Sequence, residues 1–127
     1  MQYDLERAQD FFRNRLMFTT GLHELQVLQA GGTDPARFRI VDVRYPADYA
    51  AGHVPGAINL AKGRWNAPRL LDKDATLYLY CYNATCHLAA EAALALSRQG
   101  YRVVEVEGGW DGWVANGYPV EVPAKSA

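Results

Sequence analysis

The chain has 127 residues, of which 50% are hydrophobic and 21% charged, as expected for one folded domain rather than a disordered segment. Thirteen basic and fourteen acidic side chains give a formal net charge of −1, so no overall positive field attracts nucleic acid or anionic lipid. The longest apolar stretches, residues 76–80 and 88–96, fall short of the roughly 20 residues that span a bilayer, which predicts no membrane segment.

The first predicted element is an amphipathic helix over residues 4–18. Leu5, Ala8, Phe12 and Leu16 recur at intervals of three and four, which places them on one apolar face. We expect Leu5, Phe12 and Leu16 to be buried, either against the rest of the chain or against a second subunit. A monomer and a homodimer are both compatible with this pattern.

A second helix is predicted over residues 22–30, with Thr20 as its cap and Gly31-Gly32 as its end. Beyond it, short β-branched and aromatic runs alternate with helical segments. The predicted strands are 38–43, 57–60, 76–80 and 102–106, and the predicted helices are 46–51, 64–71 and 88–99. This alternation predicts an α/β fold with a central parallel sheet and helices on both faces.

One edge of such a sheet collects the loops that follow its parallel strands, and α/β proteins bind ligands there. We expect that edge to hold Arg44, Cys81 and the Gly108-Gly109-Trp110 turn. Cys81 directly follows a strand and begins a compact loop that leads into a helix. Loop amides and the positive helix end would stabilise a thiolate at Cys81 and attract anions. The alternative is that Cys81 is a small buried residue without chemistry.

Three separated groups of residues carry a family resemblance. They are Val41-Asp42-Val43-Arg44 with Tyr49 and residues 52–59 (Gly-His-Val-Pro-Gly-Ala-Ile-Asn), the loop Cys81-Tyr82-Asn83-Ala84-Thr85-Cys86, and Gly108-Gly109-Trp110 with Trp113 and Gly117-Tyr118-Pro119-Val120. In this order, and over about residues 20–122, they resemble the rhodanese family of sulfurtransferases. The resemblance implies a rhodanese-like domain over residues 19–122, an extra N-terminal helix over 1–18 and a tail over 123–127.

The resemblance also implies an activity. Cys81 would take sulfane sulfur from thiosulfate or another persulfide-type donor, hold it as a persulfide, and pass it to a thiol, to cyanide or to an acceptor protein. Substrate would lie against the loop residues Tyr82, Asn83, Ala84, Thr85, Cys86 and His87, with no cofactor and no metal. The loop has Ala84 in place of a glycine, and no Arg or Lys lies between Cys81 and His87. Both departures argue against a preference for thiosulfate.

Two loop residues have open interpretations. Cys86 either attacks the Cys81 persulfide, leaving a disulfide and releasing hydrosulfide, or fills the first turn of the helix. His87 either stabilises a thiolate and donates a proton, or is a solvated residue at the helix start. A zinc site made of Cys81, Cys86 and His87 lacks the usual paired ligand spacing, so we expect no metal there.

The remaining polar residues of the motifs are expected to support the site. Arg44 is predicted to pair with Asp48 and, together with Asp42, to brace the active edge, whereas anion recognition by Arg44 is the less favoured alternative. His53 is assigned to hydrogen bonding in its turn. The tryptophans are expected to pack rather than line a pocket.

Two other functions compete with sulfur transfer. A cysteine phosphatase or arsenate reductase would need an arginine to grip its oxyanion, and the corresponding position here is His87. The second competing function is a catalytically silent binding or regulatory module, because a fold alone does not establish a function. The two cysteines are too few for a disulfide framework, and the first residues lack the features of a signal peptide. We therefore expect a cytoplasmic protein.

Overall fold

The computed structural model describes residues 2–32, 34, 36–66 and 71–123. The helices are α1 (Leu5–Phe18), α2 (Leu22–Ala30), α3 (Pro46–Ala51), α4 (Leu88–Ser97) and α5 (Gly109–Ala115). The strands are β1 (Thr19–Thr20), β2 (Phe38–Asp42), β3 (Ile58–Asn59), β4 (Thr76–Tyr80) and β5 (Arg102–Val106). In the described part of the chain, five strands form one sheet in the order β1-β5-β4-β2-β3, and every pairing is parallel. The predicted α/β class is confirmed.

Alternation along β4 divides the core into two clusters, one on each face of the sheet. Leu77 and Leu79 form one cluster with residues of α4, including Ala92 and Leu96. Tyr80 belongs to the other cluster, with Leu25 of α2 and Trp113 of α5. The helices therefore cover both faces, as the sequence predicts, and β4 is buried in the centre.

The start of the sheet differs from the prediction. Thr20 does not cap α2, because Gly21 occupies the cap position and Thr20 lies in β1. The carbonyl of Thr20 accepts a hydrogen bond from the Glu107 amide at 2.8 Å, which extends the pairing of β1 with β5. An edge strand of two threonines between two helices has no periodicity that a sequence pattern can detect.

Two predictions concern helices further along the chain. The predicted helix over residues 64–71 falls partly on residues 67–70, which lie outside the described residues, and its described ends (64–66 and 71) are not helical. The predicted turn at Gly108-Gly109-Trp110 is in fact the start of α5. Gly108 and Gly109 have φ values of 99° and 61°, so they allow the chain to turn sharply from β5 into that helix.

The expected burial of the α1 face within one chain is wrong. None of the 14 residues of α1, all of which the structure describes, is buried. Leu5, Phe12 and Leu16 are 67%, 52% and 83% exposed. An exposed ion pair from Arg15 to Glu107, at 3.3 Å, joins the carboxyl-terminal end of α1 to the domain. The other predicted location for this face, against a second subunit, is considered below.

Candidate active site

The carboxyl ends of three parallel strands bring the predicted site residues to one edge of the sheet. Asp42 ends β2, Cys81 follows β4, and α5 begins shortly after β5. The backbone amide of Trp110 donates to the carbonyl of Cys81 at 2.8 Å. The guanidinium of Arg44 lies 4.4 Å from the centre of the Trp110 ring. The predicted meeting of Arg44, Cys81 and the Gly108-Gly109-Trp110 segment is confirmed.

The loop after Cys81 is compact because Asn83 organises it. The Asn83 side-chain oxygen accepts from the amide and the hydroxyl of Thr85, at 3.1 and 3.0 Å, and its carbonyl accepts from the Cys86 amide at 3.2 Å. Such a side-chain turn holds the backbone without a glycine, which accounts for the presence of Ala84. Asn83, Ala84 and Thr85 are exposed, so the rim of the loop is open to solvent.

The two thiols are neighbours, and both are free. Cys81 is a buried residue, with only 3% of its surface exposed. Its sulfur lies 3.5 Å from the carbonyl oxygen of Cys86, to which the thiol donates a hydrogen bond. Backbone amides of Tyr82 and Ala89 act to lower the pKa of Cys81, and those of Tyr82, Leu88 and Asn83 act to lower the pKa of Cys86. Amides of the loop and of the start of α4 therefore act in the direction predicted for a site that stabilises a thiolate.

The pKa values, however, favour ionisation of the Cys86 thiol over that of Cys81. Burial raises the pKa of Cys81 to about 11, with a further increase from its hydrogen bond to the Cys86 side chain, and these effects outweigh the amides. Burial also acts to raise the pKa of Cys86, but the neighbouring Cys81 side chain and the amides of Tyr82, Leu88 and Asn83 outweigh burial and lower that pKa. The expectation of a stabilised Cys81 thiolate is therefore wrong for the free dithiol, in which Cys81 is the harder of the two thiols to ionise.

A buried ion pair supports the edge of the sheet. Arg44 pairs with Asp42, its Nη2 atom lying 2.8 Å from Oδ2, so the predicted pairing with Asp48 is wrong. The Tyr80 hydroxyl donates to the same carboxylate at 2.6 Å, and Arg44 also donates to the Gly52 carbonyl at 2.6 Å. Burial, reinforced by the charge of Asp42, raises the pKa of Tyr80, so the phenol stays protonated as a donor. These bonds support the bracing role predicted for Asp42 and Arg44.

Asp48 has a different role, which the sequence did not indicate. Its carboxylate accepts from the hydroxyl of Tyr82, and that hydroxyl accepts from the Tyr45 amide at 3.1 Å. Tyr82 thus ties the loop to the start of α3. An Asp at the third position of a short helix is too common a feature to have predicted this contact.

The start of α5 is a second missed support. The amide of Asp111 donates to the Tyr82 carbonyl at 2.9 Å, alongside the Trp110–Cys81 bond. A Cβ atom on Gly109 would lie only 2.6 Å from the Asn83 amide nitrogen, so only glycine lets the two backbones approach this closely. In the sequence, the adjacent glycines at 108 and 109 are the feature that could have indicated this close approach of two backbones.

The other residues singled out have structural roles. His53 is buried, with Nδ1 3.0 Å from the Tyr49 carbonyl and Nε2 3.1 Å from the Glu121 carboxylate, so its assignment to hydrogen bonding is confirmed. His87 is exposed at the cap position of α4, without a side-chain capping bond. Trp65 and Trp113 are buried in the two core clusters, as expected for packing. Among the described residues there is no group of three or more His, Cys, Asp or Glu side chains that could hold a metal.

Comparisons with known proteins agree with this architecture. The sequence profile of the Rhodanese-like domain matches residues 22–116. The BH2092 protein from Bacillus halodurans superimposes with a TM-score of 0.82 at 26% identity, covering 94% of this chain and 87% of that one. The Alr3790 protein from Anabaena sp. gives a TM-score of 0.69 at 30% identity, covering 82% of each chain.

A curated relative is longer than this chain. The HTH-type transcriptional regulator Rv0324 of Mycobacterium tuberculosis is 37% identical over 84 residues, which cover 65% of this chain but 37% of that protein. The chain thus spans little more than a third of this relative. No helix in the described ranges is long and apolar enough to cross a bilayer. On the strength of the matched profile and the shared fold, the chain belongs to the rhodanese-like domain family.

Proposed function

We propose that this protein is a sulfurtransferase that carries sulfane sulfur as a persulfide on Cys81, without a cofactor. The observation that carries the proposal is the placement of Cys81 at the head of a compact loop, with its sulfur 3.5 Å from the backbone carbonyl of a second free cysteine, Cys86. The amides supply fixed dipoles for negative charge that develops on sulfur during transfer. Two free thiols also suit a reducing compartment such as the cytoplasm.

The first step begins with a proton transfer between the two cysteines. The lowered pKa of Cys86 makes its thiolate available near neutral pH, and this thiolate accepts the Cys81 proton as the Cys81 sulfur attacks the outer sulfur of a donor R–S–SH. A new S–S bond forms at Cys81 as the S–S bond of the donor breaks, and the donor leaves as the thiolate RS⁻. An acceptor thiolate or cyanide then removes the outer sulfur and returns Cys81 to its original state.

Mass spectrometry tests the proposal directly. After incubation with a low-molecular-weight persulfide, the peptide that contains Cys81 is expected to gain the mass of one sulfur atom, and cyanide is expected to remove it as thiocyanate. A protein that gains no sulfur from either a persulfide or thiosulfate, while both thiols still react with an alkylating reagent, would contradict the proposal. That result would favour the silent module.

The charge around the loop argues for a persulfide donor rather than thiosulfate. Thiosulfate is a dianion, yet no Arg or Lys lies between Cys81 and His87, and Arg44 is buried against Asp42. A thiosulfate donor would therefore meet amides but no loop cation. We propose that small or protein-bound persulfides are the donors, with thiols as acceptors.

This donor preference leads to a prediction about Ala84, which is exposed on the loop. Ala84→Arg is expected to raise kcat/KM for thiosulfate about fivefold, because an exposed charge contact is worth at most about 1 kcal/mol. Ala84→Gln, of similar length but neutral, serves as the matched control and should leave kcat/KM unchanged. Equal effects of the two substitutions in a cyanide-linked assay would show that charge does not limit thiosulfate use.

Cys86 has a second role in this mechanism. Once the persulfide exists, Cys86 releases the proton that it accepted, and its thiolate attacks the inner sulfur, forming a Cys81–Cys86 disulfide and expelling hydrosulfide. An external dithiol must then reduce the disulfide before the next cycle. In this branch the protein is a persulfide reductase, and its competition with the acceptor thiol decides whether sulfur is transferred or released.

The burial of Cys81 also fits a second candidate function, that of a catalytically silent module that binds a partner. Cys81 is almost completely buried and its pKa is raised. A structural cysteine has these features, and so does a nucleophile that is shielded from solvent. A rhodanese-like module that only binds a partner would show the same burial. The phosphatase alternative is weaker, because His87, at the position where those enzymes need an arginine, has no guanidinium fork.

A further inference from the structure

Helix α1 has an apolar face that none of the described residues outside the helix covers. We call the strip formed by Leu5, Ala8, Phe12 and Leu16 the α1 apolar face. These residues line a shallow groove of about 350 Å³ together with Tyr3, which is 71% exposed. Its large side chains are more than half exposed, whereas the core of the domain is fully packed on both sides of the sheet. A contiguous apolar strip of this kind marks an interaction surface.

The attachment of α1 to its own domain is too weak to explain why the helix is formed. Isolated helices shorter than about 12–15 residues are marginal in water, and α1 has 14. Its contacts with the domain lie at its carboxyl end, where Arg15 makes an exposed ion pair with Glu107. Exposed pairs contribute about 1 kcal/mol at most. A partner that packs on the apolar face would supply stability that these contacts do not.

The charges along α1 indicate that the partner is a second copy of the same helix. The amino-terminal half, with its cap, carries three acidic residues and one basic residue, whereas the other half carries only basic charges. The acidic residues are Asp4, Glu6 and Asp10, and the basic residues are Arg7 in the first half and Arg13 and Arg15 in the second. An antiparallel pair brings each acidic half beside a basic half and also opposes the two helix dipoles.

We propose that the chain forms a homodimer in which the two α1 helices pack antiparallel through their α1 apolar faces. Leu5 of each copy then lies opposite Leu16 of the other, with Phe12 near the two-fold axis. The contact is isologous, so it closes at two copies and covers both strips at once. A lipid surface fits less well, because the polar side of α1 mixes Glu6 and Asp10 with arginines instead of presenting a uniformly basic face.

Sedimentation equilibrium on the full chain tests the dimer. The wild-type protein is expected at twice the mass of one chain, and Phe12→Asp at the mass of a single chain, since the substitution buries a charge in the contact. Leu94→Asp is the matched control, because Leu94 is 54% exposed on α4, away from α1, and it should remain dimeric. Far-ultraviolet circular dichroism confirms that each variant is folded. A wild-type protein of single-chain mass, or a Phe12→Asp variant that stays dimeric, would overturn the proposal.

Disulfide trapping tests the direction of the helices. In a background of Cys81→Ser and Cys86→Ser, mixing a Leu5→Cys chain with a Leu16→Cys chain should give a cross-linked heterodimer. Neither variant should cross-link efficiently with itself, because equal positions are far apart in an antiparallel pair. Self-cross-linking of Leu5→Cys would overturn the antiparallel arrangement. A single-chain mass combined with co-sedimentation on phosphatidylglycerol vesicles would replace the second copy with a membrane surface.

Discussion

Cys81→Ser is expected to abolish persulfide formation and every activity that depends on it. A serine oxygen cannot hold sulfane sulfur as a persulfide, and Cys86 does not have the position at the head of the loop to replace Cys81. The measurement is the mass of the protein after incubation with a persulfide donor, together with thiocyanate production from cyanide. The variant should fold normally, because oxygen replaces sulfur with little change in volume. Sulfur transfer at the wild-type rate would show that Cys81 is not the acceptor.

Cys86→Ser is the matched control, since it removes the other thiol of the same loop. This variant should still form the persulfide, but the persulfide should last longer and no hydrosulfide should be released, because the internal attack is lost. The wild-type protein, given donor but no acceptor, should accumulate the Cys81–Cys86 disulfide. Equal persulfide lifetimes in the two proteins would return Cys86 to a packing role. Loss of all transfer in Cys86→Ser would reverse the roles assigned to the two cysteines.

The pH dependence of persulfide formation offers a further check on this pair. Because burial raises the pKa of Cys81 to about 11, only a small fraction of this thiol is ionised near neutral pH. The rate of persulfide formation should therefore increase with pH above neutrality, and the increase should be steeper in Cys86→Ser, which lacks the internal proton acceptor. A rate that is independent of pH in both proteins would exclude proton removal from Cys81 as part of the limiting step.

The central part of the fold is predictable from the sequence because its signals are strong. Strands β4 and β5 and helix α3 have the predicted bounds, since dense β-branched or aromatic runs and an amino-terminal proline mark them clearly. The sequence analysis did not predict β1 or α5, for two different reasons. The two threonines of β1 are too short for periodicity, and the glycines at the start of α5 indicate a turn when considered alone.

The α1 helix shows the limit of the amphipathic pattern. The spacing of Leu5, Phe12 and Leu16 correctly predicts a helix with one apolar face. It carries no information about what covers that face, and the expectation of burial within the chain is wrong for that reason. Burial depends on the direction from which α1 enters β1, an edge strand of the sheet, and the sequence shows neither that direction nor the edge position.

The sequence predicts the position of the candidate site but not the pKa values of its thiols. The strand, loop and helix around Cys81 are visible as a sequence pattern, so its position at the sheet edge could be predicted. The raised pKa of Cys81 could not, because it depends on how deeply the sulfur is buried and on the hydrogen bond with Cys86. Likewise, Arg44 pairs with Asp42 rather than Asp48 because the chain bends at the end of β2, which helical spacing ignores.

Asp42→Asn is expected to destabilise the fold by about 3–5 kcal/mol, because it leaves the buried charge of Arg44 without its counter-ion. The Asp42 carboxylate also accepts from the Arg44 amide at 2.9 Å and from the Tyr80 hydroxyl. Urea unfolding provides the measurement. Asp48→Asn is the control, since Asp48 is exposed, and its effect should stay near 0.5 kcal/mol.

A second substitution separates the loss of charge from the loss of hydrogen bonds. In the double variant Asp42→Asn with Arg44→Met, the unpaired guanidinium is gone, so the free energy of unfolding should recover part of the loss seen with Asp42→Asn alone. If the losses in free energy of unfolding measured for Asp42→Asn and for Arg44→Met alone add up to the loss in the double variant, the two charges do not interact. The ion pair would then not be what stabilises this edge of the sheet. Recovery would mean that Asp42 acts by compensating Arg44, whose stacking on Trp110 connects this buried charge to the support of the Cys81 loop.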